Sequence, residues 1–318
     1  MPERPAPAQS GAVQSGAVQS GAVLNGLLVV DKPAGPTSHD VVAACRRALG
    51  TRRVGHAGTL DPDATGVLLV GVGRCTRLLR FLGAMGKVYE GEVVLGVATT
   101  TLDASGEVTA RYDMRDVGLA EVQAAAASLT GSIEQVPPMV SAIKIGGRRL
   151  HELAREGLEV PRPARRVQVD RFTVGPTGEP GVFRIEVACS SGTYVRSLAA
   201  DLGTLLGGGA HLRALRRVAV GSFGVQEAVA LQDVAADRLL SPAAAVRDLD
   251  QVVVEGALED RVRHGRPLDR VVVGARGEGP WAVLGGQGSL LAVYELAEGD
   301  RLRPACVLEP AGEAGAAG

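Results

Sequence analysis

The chain has 318 residues, 46% of them hydrophobic, and a formal charge of −1 at pH 7; that length accommodates one large domain with a smaller companion. The near-neutral balance excludes a uniformly basic nucleic-acid coat, though a local basic face remains open. Cys45, Cys75, Cys189 and Cys306 stand far apart with no C-x-x-C pair, which excludes a zinc knuckle or disulfide framework and predicts a reduced, cytoplasmic protein, and no apolar run approaches the ~20 residues of a membrane span.

From the N terminus, the pentad Gln-Ser-Gly-Ala-Val repeats from Gln9, Gln14 and Gln19. It carries too little apolar surface to offset ordering entropy and lacks a signal peptide's cationic start, so residues 1–26 read as a disordered extension. Leu27 to Val30 predicts a buried strand. Ser38 is placed to cap a helix from His39 to Leu49, with Gly50 past its end. Gly66 to Val72 reads as a strand and Thr76 to Leu82 as a helix. Apolar alternation predicts strands at Tyr89 to Leu95 and Val182 to Ala188; helical spacing predicts Leu119 to Leu129 and Val195 to Leu206. After a polar junction near Asp237 to Asp250, short runs at Val252 to Val254, Val271 to Val273 and Leu290 to Val293 predict a small β-domain, with a loose tail at 311–318. Helices and strands alternate without βαβ regularity, so an α+β fold is expected.

The most chemically loaded segment is Gly55-His56-Ala57-Gly58-Thr59-Leu60-Asp61-Pro62-Asp63-Ala64-Thr65-Gly66. Pro62 biases Asp61 away from helical angles, and the glycines let backbone approach a ligand. The residues fit a fixed nucleophile or base at Asp61, and equally a turn whose side chains bond nearby backbone. An EF-hand would need Glu where Val72 stands. A glycosidase pair of Asp61 and Asp63 would diverge on an extended loop.

This loop resembles the signature of the bacterial tRNA pseudouridine-55 synthase (TruB) family. Four further motifs follow that family's order: Gly26-Leu27-Leu28-Val29-Val30-Asp31-Lys32-Pro33 with Thr37-Ser38-His39; Lys87-Val88-Tyr89; Pro137 to Lys144; and Cys189 to Arg196. The resemblance implies a catalytic domain over 27–245 built on a mixed, largely antiparallel sheet. An RNA-clamping insertion at about 137–166 and a PUA-like RNA-binding domain over 250–309 complete the implied organisation.

By the same resemblance, Asp61 is the catalytic carboxylate and Arg196 the guanidinium that holds its pKa low. Tyr89 stacks on the uracil and handles the C5 proton, Leu215 packs on the base's other side, and His56 fills the stack vacated when the base flips out. Further substrate contacts are implied at Tyr194, Arg77, Lys87, Lys144, Arg148 and Arg149. Arg77 stands where the family commonly has Lys, and Val140 where many members have Tyr. Bases outnumber acids between Lys144 and Arg171, a stretch that includes Arg165. It suits either phosphate contacts or a solvated charged helix. The implied partner is tRNA, held through its T-arm and acceptor side, with no cofactor, metal, guide RNA, protein partner or membrane, and the chain is expected to be a monomer. A non-catalytic RNA-binding protein would not need a carboxylate beside RNA phosphates.

Overall fold

The computed structural model describes residues 24–141, 144–150, 153, 156–158 and 160–309, with 144, 145 and 149 described in backbone only. The N-terminal pentads, the 311–318 tail, and Glu152, Arg155 and Glu159 of the charged stretch lie outside the described residues.

The strands in chain order are β1 (Gly26–Lys32), β2 (Val54–Ala57), β3 (Thr65–Val72), β4 (Lys87–Leu95), β5 (Val97–Thr99), β6 (Val108–Arg111), β7 (Gly131–Gln135), β8 (Lys144–Ile145), β9 (Arg148–Arg149), β10 (Arg165–Pro176), β11 (Val182–Cys189), β12 (Ala210–Val220), β13 (Phe223–Gly224), β14 (Val229–Ala230), β15 (Asp250–Val254), β16 (Leu268–Asp269), β17 (Trp281–Gly285), β18 (Leu290–Leu296) and β19 (Arg301–Val307). The helices are α1 (Ser38–Leu49), α2 (Leu79–Ala84), α3 (Leu119–Ser128), α4 (Val195–Leu205) and α5 (Ala257–Arg263). The main sheet runs β14-β1-β3-β12-β4-β11-β10-β7, with β2 on β3 and β13 on β12. Among the described pairs of this sheet, β1/β14 and β3/β12 are parallel and the rest antiparallel, so the fold is the mixed, largely antiparallel α+β type expected.

Burial explains the two kinds of strand pattern. In β3, Val67 and Leu69 enter one hydrophobic cluster while Leu68, Val70 and Val72 enter another, so the continuous apolar run reflects cover on both faces. In β11, Phe183, Ile185 and Val187 are buried and Arg184 is exposed, the alternation of a half-covered strand. The long central strand β12, which carries Leu215-Arg216-Arg217, has a mixed pattern, with both apolar and basic side chains below the surface.

Three local expectations need correction. The α1 cap is Thr37, whose hydroxyl accepts from the Asp40 amide while Asp40 returns a bond to the Thr37 amide; Ser38 is buried and bonds elsewhere. The Thr76 to Leu82 helix divides into a 3-10 segment Gly73–Leu78 followed by α2. Val271 to Val273 is a turn, because the Asp269 carboxylate accepts from the Val271 and Val272 amides and leaves both valines exposed.

A second sheet, β15-β17-β18-β19-β16, closes over Trp281, Tyr294 and Leu302, each fully buried. It packs on the main sheet through Ala282, Leu284, Leu290 and Val293, which share one cluster with Leu27, Phe81 and Val220. The expected polar junction is itself packed: Ala245 and Val246 are inaccessible to solvent. Arg74 and Arg77 donate to the carbonyls of Leu308 and Val307 at 2.8 and 2.7 Å, and Arg80 pairs with Glu295. No helix among the described residues is long and apolar enough to cross a membrane.

Candidate active site

The Asp61 loop is held from below by two residues of the N-terminal segment. Lys32, fully buried at the end of β1, donates its ammonium to the carbonyls of Pro33, Pro62 and Ala64 at 2.9, 2.7 and 2.8 Å. Burial pulls its pKa down, while Asp63 and Asp61 pull it up. The Ser38 hydroxyl donates to the Leu60 carbonyl and accepts from the Leu60 amide, at 3.0 and 2.9 Å. From the far side, Arg217 donates to Val67 and Gly58 carbonyls at 2.7 and 2.9 Å. Gly66 adopts φ +101°, and a Cβ there would lie 2.1 Å from the Arg217 carbonyl oxygen, so the loop's exit into β3 requires glycine.

This cradle turns Asp61 toward Arg196, the second residue of α4. The Arg196 Nε lies 3.1 Å from Asp61 Oδ2 and its Nη2 3.3 Å from Oδ1, a side-on fork. The same guanidinium reaches Asp103 Oδ2 at 3.3 Å, the Thr101 carbonyl at 3.2 Å and the Val140 carbonyl at 2.8 Å. Arg196 is 6% exposed against 41% for Asp61, so the cation is fixed and the carboxylate faces open space. Asp103 is an addition the sequence reading missed. Its loop carries a signal in Thr101-Leu102-Asp103-Ala104-Ser105: the carboxylate accepts from the hydroxyls of Thr101 and Ser105, and Leu102 takes the unusual φ of +62°.

The open space is a cavity of about 280 Å³ lined by Gly58, Thr59, Leu60, Asp61, Lys87, Tyr89, Ser141, Thr193, Tyr194, Arg196, Leu215 and Arg217 among others, near the lower end for small-ligand pockets. A neighbouring cavity of about 310 Å³ shares Asp61, Arg196 and Leu215 and adds Asp63 and Asp103. Tyr89 on β4 stands opposite Arg217 on β12 in register. Burial pushes the Tyr89 phenol up, against Arg217, which pulls it down. Leu215 faces the same cavity two residues earlier. Lys87 is buried; burial first, then Arg217, brings it down to about 8. Its ammonium donates to the Gly83 and Met85 carbonyls at the end of α2.

Asp61 differs from expectation in its charge balance. Burial raises its pKa above the ordinary carboxylate value; Arg196 and Lys32 act downward, and Asp103 and Asp63 add to the rise. Loss of water is the largest effect, and the repulsion from Asp103, which shares Arg196 with it, works against the pull of that guanidinium.

A buried amide fixes the approach to α4. Gln135, 2% exposed at the end of β7, donates Nε2 to the Tyr194 carbonyl at 3.1 Å and accepts from the Tyr194 amide at 2.8 Å. Ser197 donates to the Val136 carbonyl at 3.1 Å. The root of the 137–166 segment is thereby tied to the residues flanking Arg196.

Other predicted contacts lie elsewhere. His56 is on β2, outside both cavity linings, edge-on to His39 with ring centroids 5.2 Å apart. Burial, then His39 and Arg217, bring it down to about 4. Arg77 is at the junction with the second sheet, bonded to Val307. Arg148 is exposed and paired with Glu156. Lys144 and Arg149 are in the β8/β9 hairpin. Among the described residues no three His, Cys, Asp or Glu side chains are grouped to hold a metal ion.

Comparison with known proteins gives a consistent picture. Residues 46–195 match the N-terminal domain of the TruB family pseudouridylate synthases, and 196–259 match the tRNA pseudouridylate synthase B C-terminal domain. The tRNA pseudouridine synthase B of Mycobacterium sp. (strain KMS) is 46% identical over 292 residues, covering 90% of this chain and 97% of the relative. That of Symbiobacterium thermophilum is 50% identical over 247 residues, covering 76% and 82%. A solved Cbf5-Nop10-Gar1 complex contains a chain of similar fold, with TM-score 0.73 and 25% identity over 91% of this chain and 86% of that one.

Proposed function

The chain belongs to the TruB family of pseudouridylate synthases and is a tRNA pseudouridine synthase, and on that premise we propose that it isomerises uridine 55 of the T-loop by flipping the base into the Asp61 cavity. The observation that carries this reading is the fixed Arg196 fork, which presents the Asp61 carboxylate to a cavity also lined by Tyr89 and Leu215.

In this reading Asp61 attacks at the ribose as an anion, and the bond from C1′ to uracil N1 breaks. The freed ring turns between Tyr89 and Leu215, C5 bonds to C1′ as the bond from C1′ to Asp61 breaks and returns the carboxylate, the C5 proton leaves, and N1 ends protonated, so the product is an isomer of the substrate. Because burial keeps Tyr89 a neutral phenol, it can take the C5 proton only by relaying its own, and the Arg217 cation beside the hydroxyl favours that transfer. His56, kept neutral by burial two residues before Gly58 of the cavity wall, is the candidate to fill the vacated stack. Tyr194 and Lys87 line the base site, while Lys144, Arg148, Arg149 and Arg77 contact RNA further out.

The catalytic domain spans 27–245 with its clamping insertion at about 137–166, and the 250–309 β-sheet acts as a PUA-like grip on the acceptor side. We take the enzyme to work in the cytoplasm as a monomer without guide RNA, protein partner or cofactor. The relatives at 46% identity are named tRNA pseudouridine synthase B, with no second component in the name, whereas the fold neighbour at 25% identity was solved in a three-protein complex.

The test is tritium release from C5-tritiated uridine in an unmodified tRNA transcript, using purified protein without added metal, RNA or protein. Wild type is expected to release tritium, and a transcript lacking only uridine 55 to release none. Asp61→Asn is expected to be inactive while binding tRNA within a few-fold. Tight binding with no release would favour an RNA-folding role, and substantial release by Asp61→Asn would remove the carboxylate assignment.

A further inference from the structure

Several surface arginines of this protein are neutralised by carboxylates. Arg148 pairs with Glu156, Arg166 with Glu134, Arg171 with Glu186, Arg213 with Glu92 and Arg247 with Glu227. A different situation holds at the far end of α1. Arg46, Arg47, Arg52 and Arg53 are all exposed, and between Asp40 and Asp61 the sequence contains no Asp or Glu. Arg46 donates to the Val54 carbonyl at 2.9 Å. Arg47, Arg52 and Arg53 form no salt bridge with any described residue.

The backbone beneath them is firmly built. Gly50 closes α1 in the left-handed conformation, Thr51 donates back to the Arg46 carbonyl, and the Arg53 carbonyl accepts from Gly73 at 2.7 Å. The patch is also aligned with the site. Ser38 at the start of α1 bonds Leu60, while Arg46 at its end bonds the start of β2. Helix and strand thus run side by side from the catalytic loop to the arginines, a distance of ~18 Å at 1.5 Å per helical residue. Clustered like charges without counter-ions repel one another, and a polyanion lying across them relieves that repulsion.

We propose that Arg47, Arg52 and Arg53 form a phosphate-binding surface for the RNA backbone of the tRNA stem that enters the Asp61 site, along the α1/β2 ridge. This rests on tRNA being the substrate. The surface carries three unneutralised cations, whereas Arg148 and Arg166 of the 137–166 segment are paired with Glu156 and Glu134.

The experiment compares wild type, the triple variant Arg47→Gln/Arg52→Gln/Arg53→Gln, and the charge-keeping triple to Lys, using full-length unmodified tRNA. Binding is measured from 50 to 300 mM salt, and tritium release at saturating tRNA. The Gln triple is expected to bind about tenfold or more weakly at low salt, with a log–log salt slope smaller by about 0.7–0.9 per lost phosphate contact. Its maximal release rate should match wild type, and the Lys triple should restore most of the slope. An unchanged slope in the Gln triple, with wild-type release intact, overturns the surface assignment alone; absence of release by wild type would instead overturn the uridine 55 reading.

Discussion

At the scale of single residues, Arg196 serves two carboxylates at once. In the proposed mechanism Asp61 acts as an anionic nucleophile, yet burial raises its pKa, so activity is expected to fall as pH drops through a value above the ordinary carboxylate range. Asp103→Asn would give Arg196 wholly to Asp61 and move the acid limb of kcat/KM downward; Arg196→Gln would move it upward and lower the plateau. Limbs that stay in place in both variants would mean that a different group titrates. The stability consequence has the opposite sign. A carboxyl whose folded pKa is raised lends its stability below its unfolded pKa and loses it as pH rises through the folded one. Asp61→Asn is therefore expected to melt no lower than wild type at pH 7, and a clear drop in Tm would contradict this. Asp61, Tyr89 and Arg196 are legible because each sits in a compact motif. Asp103 and Arg217 are not: Asp103 meets Arg196 across 93 residues of chain, and Arg217 looks like one of two interchangeable arginines until β12 buries it and leaves Arg216 paired with Asp31.

At the scale of elements, the site is made by tethers between segments that look like ordinary turns. Lys32→Met would leave the Pro33, Pro62 and Ala64 carbonyls without their buried donor. The expected cost is roughly 1–3 kcal/mol in denaturant unfolding, together with a fall in kcat larger than any change in KM. Gln135→Leu removes the clamp on Tyr194. Because that clamp joins the insertion's root to the start of α4, kcat should fall and the acid limb should shift. Gln135→Glu should fail to rescue it, since a carboxylate cannot donate to the Tyr194 carbonyl. If Gln135→Leu lowers Tm but leaves the pH profile and kcat unchanged, the amide is only structural. The helix-capping error has the same origin. Thr37 and Ser38 are chemically alike, and only the return of the chain at Leu60 decides which of them caps and which tethers.

At the scale of the whole molecule, the second sheet is joined to the first by a shared core as well as by arginine contacts. Leu290→Ala, at a position 2% exposed within that shared cluster, is expected to cost about 2–5 kcal/mol and to lower a single calorimetric transition. Two separated transitions in wild type would show that the sheets unfold independently. The packed junction at Ala245 and Val246 and the Arg77 bond to Val307 explain why a basic residue in a family motif faces the other sheet rather than the cavity.

The sequence by itself determined the α+β class, the helices α1, α3 and α4 and the most strongly patterned strands such as β1, β3, β4 and β11, because hydrophobic period is a property of neighbouring residues, while the roles of Asp61, Tyr89 and Arg196 came from resemblance to a family's motifs. Tertiary structure alone decided that Arg196 is shared, that Asp61 is harder to ionise than a lone guanidinium partner would make it, and that unpaired positive charge collects at the end of α1. Those properties depend on burial and on distances between segments far apart in the chain, and electrostatic energy follows distance and dielectric rather than sequence order.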